Sequence, residues 1–349
     1  MPAAKRKSPS ICATLIADRF NKSFNEKNKI QRSSITEFTS LSMLNEKLTI
    51  ENKEISNSKY SVERVSEIEE KYSELIFSFD YDSTIPPRVP FNLVDKGDYK
   101  ALESHVFNKW KFNRKNLIFE RNIEIWRQLW IACENATVIA QIVDARDPLA
   151  YFNFDIMKTY PQKKHIILLN KSDLIFDADK VIQDLVAFNP IFSENVYAYS
   201  SKQGSFDFEL EGTVALIGFP NVGKSSTINH ILNQKKVKVS STPGKTKYIQ
   251  TIETPNFTLL DCPGLVFPGH SKIELLLMGV LNIEQVPDLC NYEDLILKIV
   301  GNDRIRQYFS LMKASDNILI DMCVQKGWQK SRCLKEIAKS YAMGEMPRF

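Results

Sequence analysis

Gly218-Phe219-Pro220-Asn221-Val222-Gly223-Lys224-Ser225 has the spacing Gly-x-x-x-x-Gly-Lys-Ser, and each residue type in it suits the grip of a polyphosphate. Gly218 and Gly223 let the backbone curl until N–H groups from Asn221 through Val222 and Gly223 to Ser226 face phosphate oxygens. Lys224 reaches the β and γ phosphates, and Ser225 offers a hydroxyl to Mg²⁺. This pattern does not choose a base. Asn170-Lys171-Ser172-Asp173 does: Asp173 can accept two hydrogen bonds, from the ring N–H and the exocyclic amine of guanine, and adenine offers no equivalent pair. Four residues on their own are equally a solvated turn, so the surrounding elements decide.

Those elements are legible as short apolar runs. Residues 213–219 are rich in β-branched side chains and lead straight into the phosphate motif, which opens a helix over 224–232: strand, loop, helix, the context the motif requires. Residues 165–170 read as a buried strand with Asn170 at its end, and residues 195–200 as a second strand ending in Ser200-Ser201-Lys202. A further strand, Phe257-Thr258-Leu259-Leu260, delivers Asp261-Cys262-Pro263-Gly264. Between it and the phosphate loop lies Thr242-Pro243-Gly244-Lys245-Thr246. Thr246 is the candidate switch threonine over Mg²⁺, Asp261 would hold a Mg²⁺-bound water, and the Gly264 N–H would sense a γ-phosphate. Taken singly, a Thr in a Gly/Pro turn and an Asp at a strand end are ordinary turn residues. Together they fall on strand ends, where open α/β sheets bind ligands.

The base reader precedes the phosphate loop, the reverse of the order in an ordinary small GTPase. The series Asn-Lys-Ser-Asp, Ser-Ser-Lys, phosphate loop, switch threonine, Asp-x-Pro-Gly resembles the circularly permuted GTPases of the YlqF/YawG group, whose guanine is backed by a loop like Ser200-Ser201-Lys202. Phe119-Glu120-Arg121-Asn122, Trp126-Arg127-Gln128-Leu129-Trp130 and Gln141-Ile142-Val143-Asp144-Ala145-Arg146-Asp147-Pro148 make it most similar to the eukaryotic large-subunit GTPase family of late cytoplasmic ribosome maturation. The resemblance implies an α/β fold, a mostly parallel sheet with helices on both faces, over residues 107–271. It places a partly extended, partly disordered N-terminal region at 1–106 and a small helical domain at 272–349. It further implies a GTP-hydrolysing monomer that uses Mg²⁺, with Lys224, Thr246 and Gly264 in catalysis. Its partners would be GTP or GDP, the large-subunit precursor with its rRNA, and a nuclear export adaptor, with no membrane. A placeholder that binds RNA with negligible hydrolysis, and a nucleolar or organellar permuted GTPase, are the rival readings.

Leu265 stands where Ras-like enzymes carry the glutamine that orients the attacking water, so the isolated chain should hydrolyse slowly. Asn221 resembles the potassium-coordinating asparagine of cation-dependent GTPases, and equally suits a tight turn. Of the histidines, His165 and His230 lie in structural contexts, and His270 is the remaining candidate to activate water. Asp144-Ala145-Arg146-Asp147-Pro148 reads as a salt-bridged loop in preference to a catalytic one. Lys202 to Gly212 is barely a linker where larger relatives carry an insertion.

A composition of 43% hydrophobic and 25% charged residues is that of a globular chain. Residues 1–34 carry 8 basic against 2 acidic side chains and residues 298–349 carry 10 against 5, so basic ends flank an acidic centre and suggest an anionic partner. Six cysteines without metal spacing read as free thiols in a reducing, cytoplasmic setting, while Lys5-Arg6-Lys7 is a weak signal for nuclear shuttling. The apolar stretch Ile11 to Ala17 is too short for a membrane span. Apolar residues at helical spacing include Val65, Ile68, Tyr72 and Leu75, then Ile123, Trp126, Trp130 and Cys133. The C-terminal stripes are Ile273, Leu276, Leu277 and Val280; Ile305, Tyr308, Phe309 and Met312; and Leu334, Ile337, Ala338 and Tyr341. Pro86-Pro87-Arg88-Val89-Pro90 must be extended. Between 107 and 121, Trp110 anchors a helix and some of Lys109, Lys111, Arg114, Lys115 and Arg121 are expected to face RNA, while Arg332, Lys335 and Lys339 make a basic face that suits plain solvation and RNA contact equally.

Overall fold

The computed structural model describes residues 60–203, 208–232, 248–312 and 315–346. Thr246, the whole Thr242–Thr246 turn, the basic segment 1–34 and Cys12 lie outside the described residues.

Chain order begins with α1 (Val62–Lys71), α2 (Ser73–Ser78), α3 (Tyr99–Phe112) and α4 (Ile123–Asn135). Next come β1 (Val138–Asp144), α5 (Pro148–Tyr151), α6 (Phe154–Thr159), β2 (Lys164–Asn170), α7 (Ala178–Phe188) and β3 (Val196–Ala198). Then follow β4 (Gly212–Ile217), α8 (Lys224–Ile231), β5 (Gln250–Glu253) and β6 (Phe257–Asp261). The C-terminal region is helical: α9 (Lys272–Leu277), α10 (Glu293–Val300), α11 (Asn302–Phe309), α12 (Ile318–Lys326) and α13 (Lys330–Met343). Among the described residues no helix is long and apolar enough to cross a membrane.

The six described strands form one sheet in the order β3-β2-β1-β4-β6-β5. All pairings are parallel except β5 with β6. Counted from β4 as the first strand, the order becomes 6-5-4-1-3-2, a doubly wound sheet whose winding reverses between β1 and β4. That junction is the switch point at which such sheets hold ligands. Every residue of β1 is buried, as a central parallel strand covered on both faces must be. Register then sets the site: Asp144 pairs with Asn170, and Leu216 with Asp261, so those polar ends share one edge of the sheet.

Helix α4 carries the expected apolar face. Asn122 caps it by accepting from the Glu124 N–H, and Trp126, Leu129, Trp130 and Cys133 are fully buried against the sheet. Burying side chains of that size stabilises the fold by about 1.5–3 kcal/mol each. A smaller second core gathers Ile68, Ile76, Val89, Val94, Leu102 and Val106 under α1 and α2. Helix α3 contributes Leu102 and Val106 to that cluster and Phe107 and Trp110 to the main core. Residues 86–90 are extended as proline requires; Arg88 leaves them to meet Glu103 and Glu134, each at 3.1 Å.

The cations of 107–121 are mostly turned inward, so of those expected in part to face RNA only two reach solvent. Lys111, Arg114 and Arg121 are buried, with Arg114 donating to the Ser83 and Trp110 carbonyls and Arg121 to those of Lys115 and Leu117. Each guanidinium thereby pairs with backbone carbonyls, that of Ser83 also accepting from Trp110 Nε1 at 2.8 Å. Only Lys109 and Lys115 of this group are exposed. The stripes on α9 and α11 also end early: α9 stops before Val280, and Met312 is 78% exposed beyond the left-handed Ser310 that terminates α11. On α13, Leu334, Ile337, Ala338 and Tyr341 are buried as spaced, while Arg332 and Lys339 are exposed and Lys335 is half-buried. All five described cysteines are free thiols.

Candidate nucleotide-binding site

The phosphate loop runs from the end of β4 to the start of α8, and its glycines are required by close approach. A Cβ on Gly218 would lie 2.4 Å from the Ile142 carbonyl oxygen, and one on Gly223, at φ +99°, would lie 2.2 Å from Asn170 Nδ2. Asn221 is also left-handed, at φ 63°. Lys224 is buried and donates to the Gly218 and Phe219 carbonyls at 2.8 and 2.7 Å. Burial lowers its pKa to about 8, against the opposing charge of Asp261. Ser225 and Ser226 are half-buried at the head of α8.

Asn170 joins this loop to the base-reading loops. Its Nδ2 donates to the Val222 carbonyl at 2.7 Å, and its Oδ1 accepts from the Ser201 N–H at 3.0 Å. Three segments distant in sequence therefore meet on one buried amide. Ser200 Oγ donates to Asp173 Oδ1 at 2.6 Å and accepts from the N–H groups of Lys202 and Gln203. Lys202 itself is exposed. Asp173 is exposed too, so a base lying over it would desolvate it. Lys171, left-handed at φ 67°, donates from Nζ to Asp144 Oδ2 at 2.7 Å.

Asp261 ends β6 with 1% exposure, and its Oδ2 is buried without a hydrogen-bond partner. Burial raises its pKa to about 6, opposed by Lys224. An unsatisfied buried carboxylate oxygen beside the phosphate loop fits a hydrated divalent cation, and the Ser225 hydroxyl at the head of α8 fits the same ion. Gly264 packs on the loop: a Cβ there would lie 3.1 Å from Pro220 Cα and 3.2 Å from Lys224 Nζ. Leu265 is fully buried, its N–H on the Gly218 carbonyl at 3.3 Å. His270 lies edge-on to Phe219 of the phosphate loop, with ring centroids 5.3 Å apart and Nδ1 unpartnered.

Residues 213–337 match the family model described as "50S ribosome-binding GTPase". The chain is 31% identical to Large subunit GTPase 1 of Schizosaccharomyces pombe, covering 65% of this chain and 48% of that protein. It is 30% identical to Large subunit GTPase 1 of Saccharomyces cerevisiae, with 65% and 47% covered. These relatives, together with the order of the motifs, make the chain similar to the circularly permuted GTPases of the large-subunit type. It spans about half the length of these two relatives. GNP-bound YlqF from T. maritima aligns with a TM-score of 0.44 and 23% identity over 64% of this chain and 94% of that chain; the strand order, not this distant likeness, carries the fold.

Within this site, residue spacing missed two contacts. Asn221 Nδ2 donates to the Gly279 carbonyl at 2.7 Å, tying the phosphate loop to the turn after α9. Asp144, fully buried, takes both Arg146 Nε and Nη2, at 2.8 and 2.7 Å, in addition to Lys171. Burial pushes the Asp144 carboxyl up, but the Arg146 hydrogen bonds and the Lys171 charge outweigh it and hold the pKa well below the usual range. The salt-bridged reading of Asp144-Ala145-Arg146-Asp147-Pro148 thus describes this loop. Nothing in its spacing signalled that Lys171 of the base reader is a third member.

Proposed function

We propose that this chain binds GTP between Asp173 and Lys224 and hydrolyses it on a precursor of the large ribosomal subunit. The reading rests above all on Asn170, whose single amide holds the phosphate loop and the Ser200-Ser201 loop together although the two groups are reversed along the chain. Asp173 accepts from guanine while Ser200 fixes its carboxylate, and Lys171 flanks the base. The N–H groups of Val222 to Ser226 and the Lys224 ammonium take the phosphates. Ser225 and Thr246, with Asp261 acting through a water, would hold Mg²⁺, which would supply neutralisation of phosphate charge. The N–H of Gly264, a residue packed closely on Pro220 and Lys224, meets the γ-phosphate and reports its loss.

Buried Leu265 gives no group to orient water, so intrinsic turnover falls near the unassisted ~10⁻⁴ to 10⁻³ s⁻¹. We assign the deficit to K⁺ on Asn221 Oδ1 together with the docked particle. The relatives' name, Large subunit GTPase 1, supports the large subunit as partner, and the family resemblance supports a cytoplasmic monomer that couples hydrolysis to release of a nuclear export adaptor. Burial of Leu265 also favours a second reading, a GTP-dependent RNA-binding placeholder with negligible hydrolysis.

Single-turnover GTP hydrolysis with purified large-subunit precursors, in K⁺ and then in Na⁺, decides between them. The enzyme reading expects a rise of at least about tenfold that needs both particle and K⁺. Fast hydrolysis in Na⁺ without particles would refute the assisted mechanism, and no rise with intact binding would favour the placeholder.

A further inference from the structure

The guanine-reading loop of this chain does not end on the sheet. Arg146, bonded through Nε and Nη2 to buried Asp144, extends Nη1 to the Tyr341 carbonyl at 3.2 Å and Nη2 to that of Ala342 at 3.5 Å, in the last turn of α13. Asp144 carries one negative charge against two cations, Arg146 and Lys171, and both partner contacts are at 2.7 Å. The excess positive charge sits where the dipole of α13 is negative, and there the Tyr341 carbonyl also accepts from the Gly344 N–H at 3.1 Å. Gly344, which caps α13 at φ +76°, closes the arrangement: a Cβ there would lie 2.6 Å from Arg146 Nη1 and 2.9 Å from Leu174 Cδ1. Leu174 directly follows the base-reading Asp173.

We propose that the C-terminal turn of α13 is a supporting wall of the guanine pocket, with Arg146 and Gly344 as positioning residues that set Lys171 and Asp173 for base recognition. The inference rests on the guanine-nucleotide reading above. Its consequence is reciprocal. A partner that lifts the end of α13 must loosen the nucleotide at the base end, and a bound guanine must hold α13 down by the same factor. Signals from the γ-phosphate end travel by a different route, through Gly264 and the Asn221 contact to Gly279. The helical region is thus held at both ends of the nucleotide.

The test measures GDP, IDP and ADP affinity for the full chain and for Gly344→Ala and Arg146→Lys, with thermal unfolding as a check on folding. Inosine lacks the exocyclic amine that Asp173 would accept, so the ratio of IDP to GDP dissociation constants reports Asp173 placement and not fold stability. Should Gly344→Ala fail to fold, Gly344→Asn tolerates the left-handed backbone and places its Cβ against the same atoms. We expect GDP affinity to drop about tenfold, within the usual span of coupling between sites, and the ratio to shrink by a similar factor in both variants. Folded variants that keep the wild-type ratio would overturn the proposal alone. A wild-type chain that binds GDP no better than ADP would overturn the guanine reading and this proposal with it.

Discussion

Replacing Asn170 by Ala should uncouple the two halves of the site. The amide is 1% exposed and makes two hydrogen bonds, to the Val222 carbonyl at 2.7 Å and from the Ser201 N–H at 3.0 Å. Truncation leaves both backbone partners unsatisfied. A buried group so deprived costs about 1–3 kcal/mol, so the pair totals about 2–6 kcal/mol, a large part of a typical stability of about 5–15 kcal/mol. Asn170→Asp keeps an acceptor for Ser201 but sets a carboxylate against the Val222 carbonyl, so at neutral pH it should be at least as damaging as Ala. Urea unfolding followed by tryptophan fluorescence measures the loss, since Trp126 and Trp130 are buried beside the sheet. GDP binding measures its functional share: if about 2–3 kcal/mol of loop preorganisation is lost, the dissociation constant rises roughly 30- to 150-fold. An Asn170→Ala protein within about 0.5 kcal/mol of wild type, binding GDP within twofold, would refute the bridging role.

Gly223→Ala should act on the same contact from the other side, because its Cβ meets Asn170 Nδ2 at 2.2 Å and its φ of +99° adds about 1–2 kcal/mol of backbone strain; urea unfolding and loss of GDP binding check it. Asp261→Asn should raise the Mg²⁺ concentration needed to slow GDP release by about tenfold, since it removes the charge of the unpartnered carboxylate; an unchanged Mg²⁺ titration would count against Asp261 as an ion-holding group. Asp144 is ionised in the fold to a pH well below its ordinary 3.8, so its contribution is present above about pH 4 and is lost as pH falls toward its lowered folded value. The stability gap between wild type and Asp144→Asn should therefore be flat from about pH 5 to pH 8 and narrow only below about pH 4, as read by urea unfolding across that range.

What could be read from residues alone was whatever is local. The short apolar runs before Asn170, Gly218 and Asp261 announce strands, and the polar or glycine residues at their ends announce the ligand edge, because strand and loop chemistry are both expressed within a few positions. The apolar face of α4 was legible for the same reason. Contacts that join distant segments left no such trace. Arg146 and Tyr341 are 195 residues apart, and Asn221 and Gly279 are 58 apart, with nothing in either local pattern to mark the partner. Which cations of 107–121 turn inward was illegible for a related reason: whether a basic side chain faces solvent or closes a turn is decided by the carbonyls that tertiary packing brings to it, such as that of Ser83. The exposure of Asp173 likewise depends on how the loop stands off the sheet, which four residues cannot express.

The most direct measurement compares GDP and XDP binding by the wild-type chain and by Asp173→Asn, with Lys224→Ala as the control for the phosphate end. An asparagine amide can donate to the 2-oxo group of xanthine where the carboxylate accepted from the guanine amine. The account predicts that the preference inverts from GDP to XDP, with the affinity ratio moving by about a hundredfold or more, and that Lys224→Ala loses both nucleotides. An Asp173→Asn chain that keeps its wild-type preference would contradict the claim that residues 173 and 224 hold two ends of one guanine nucleotide.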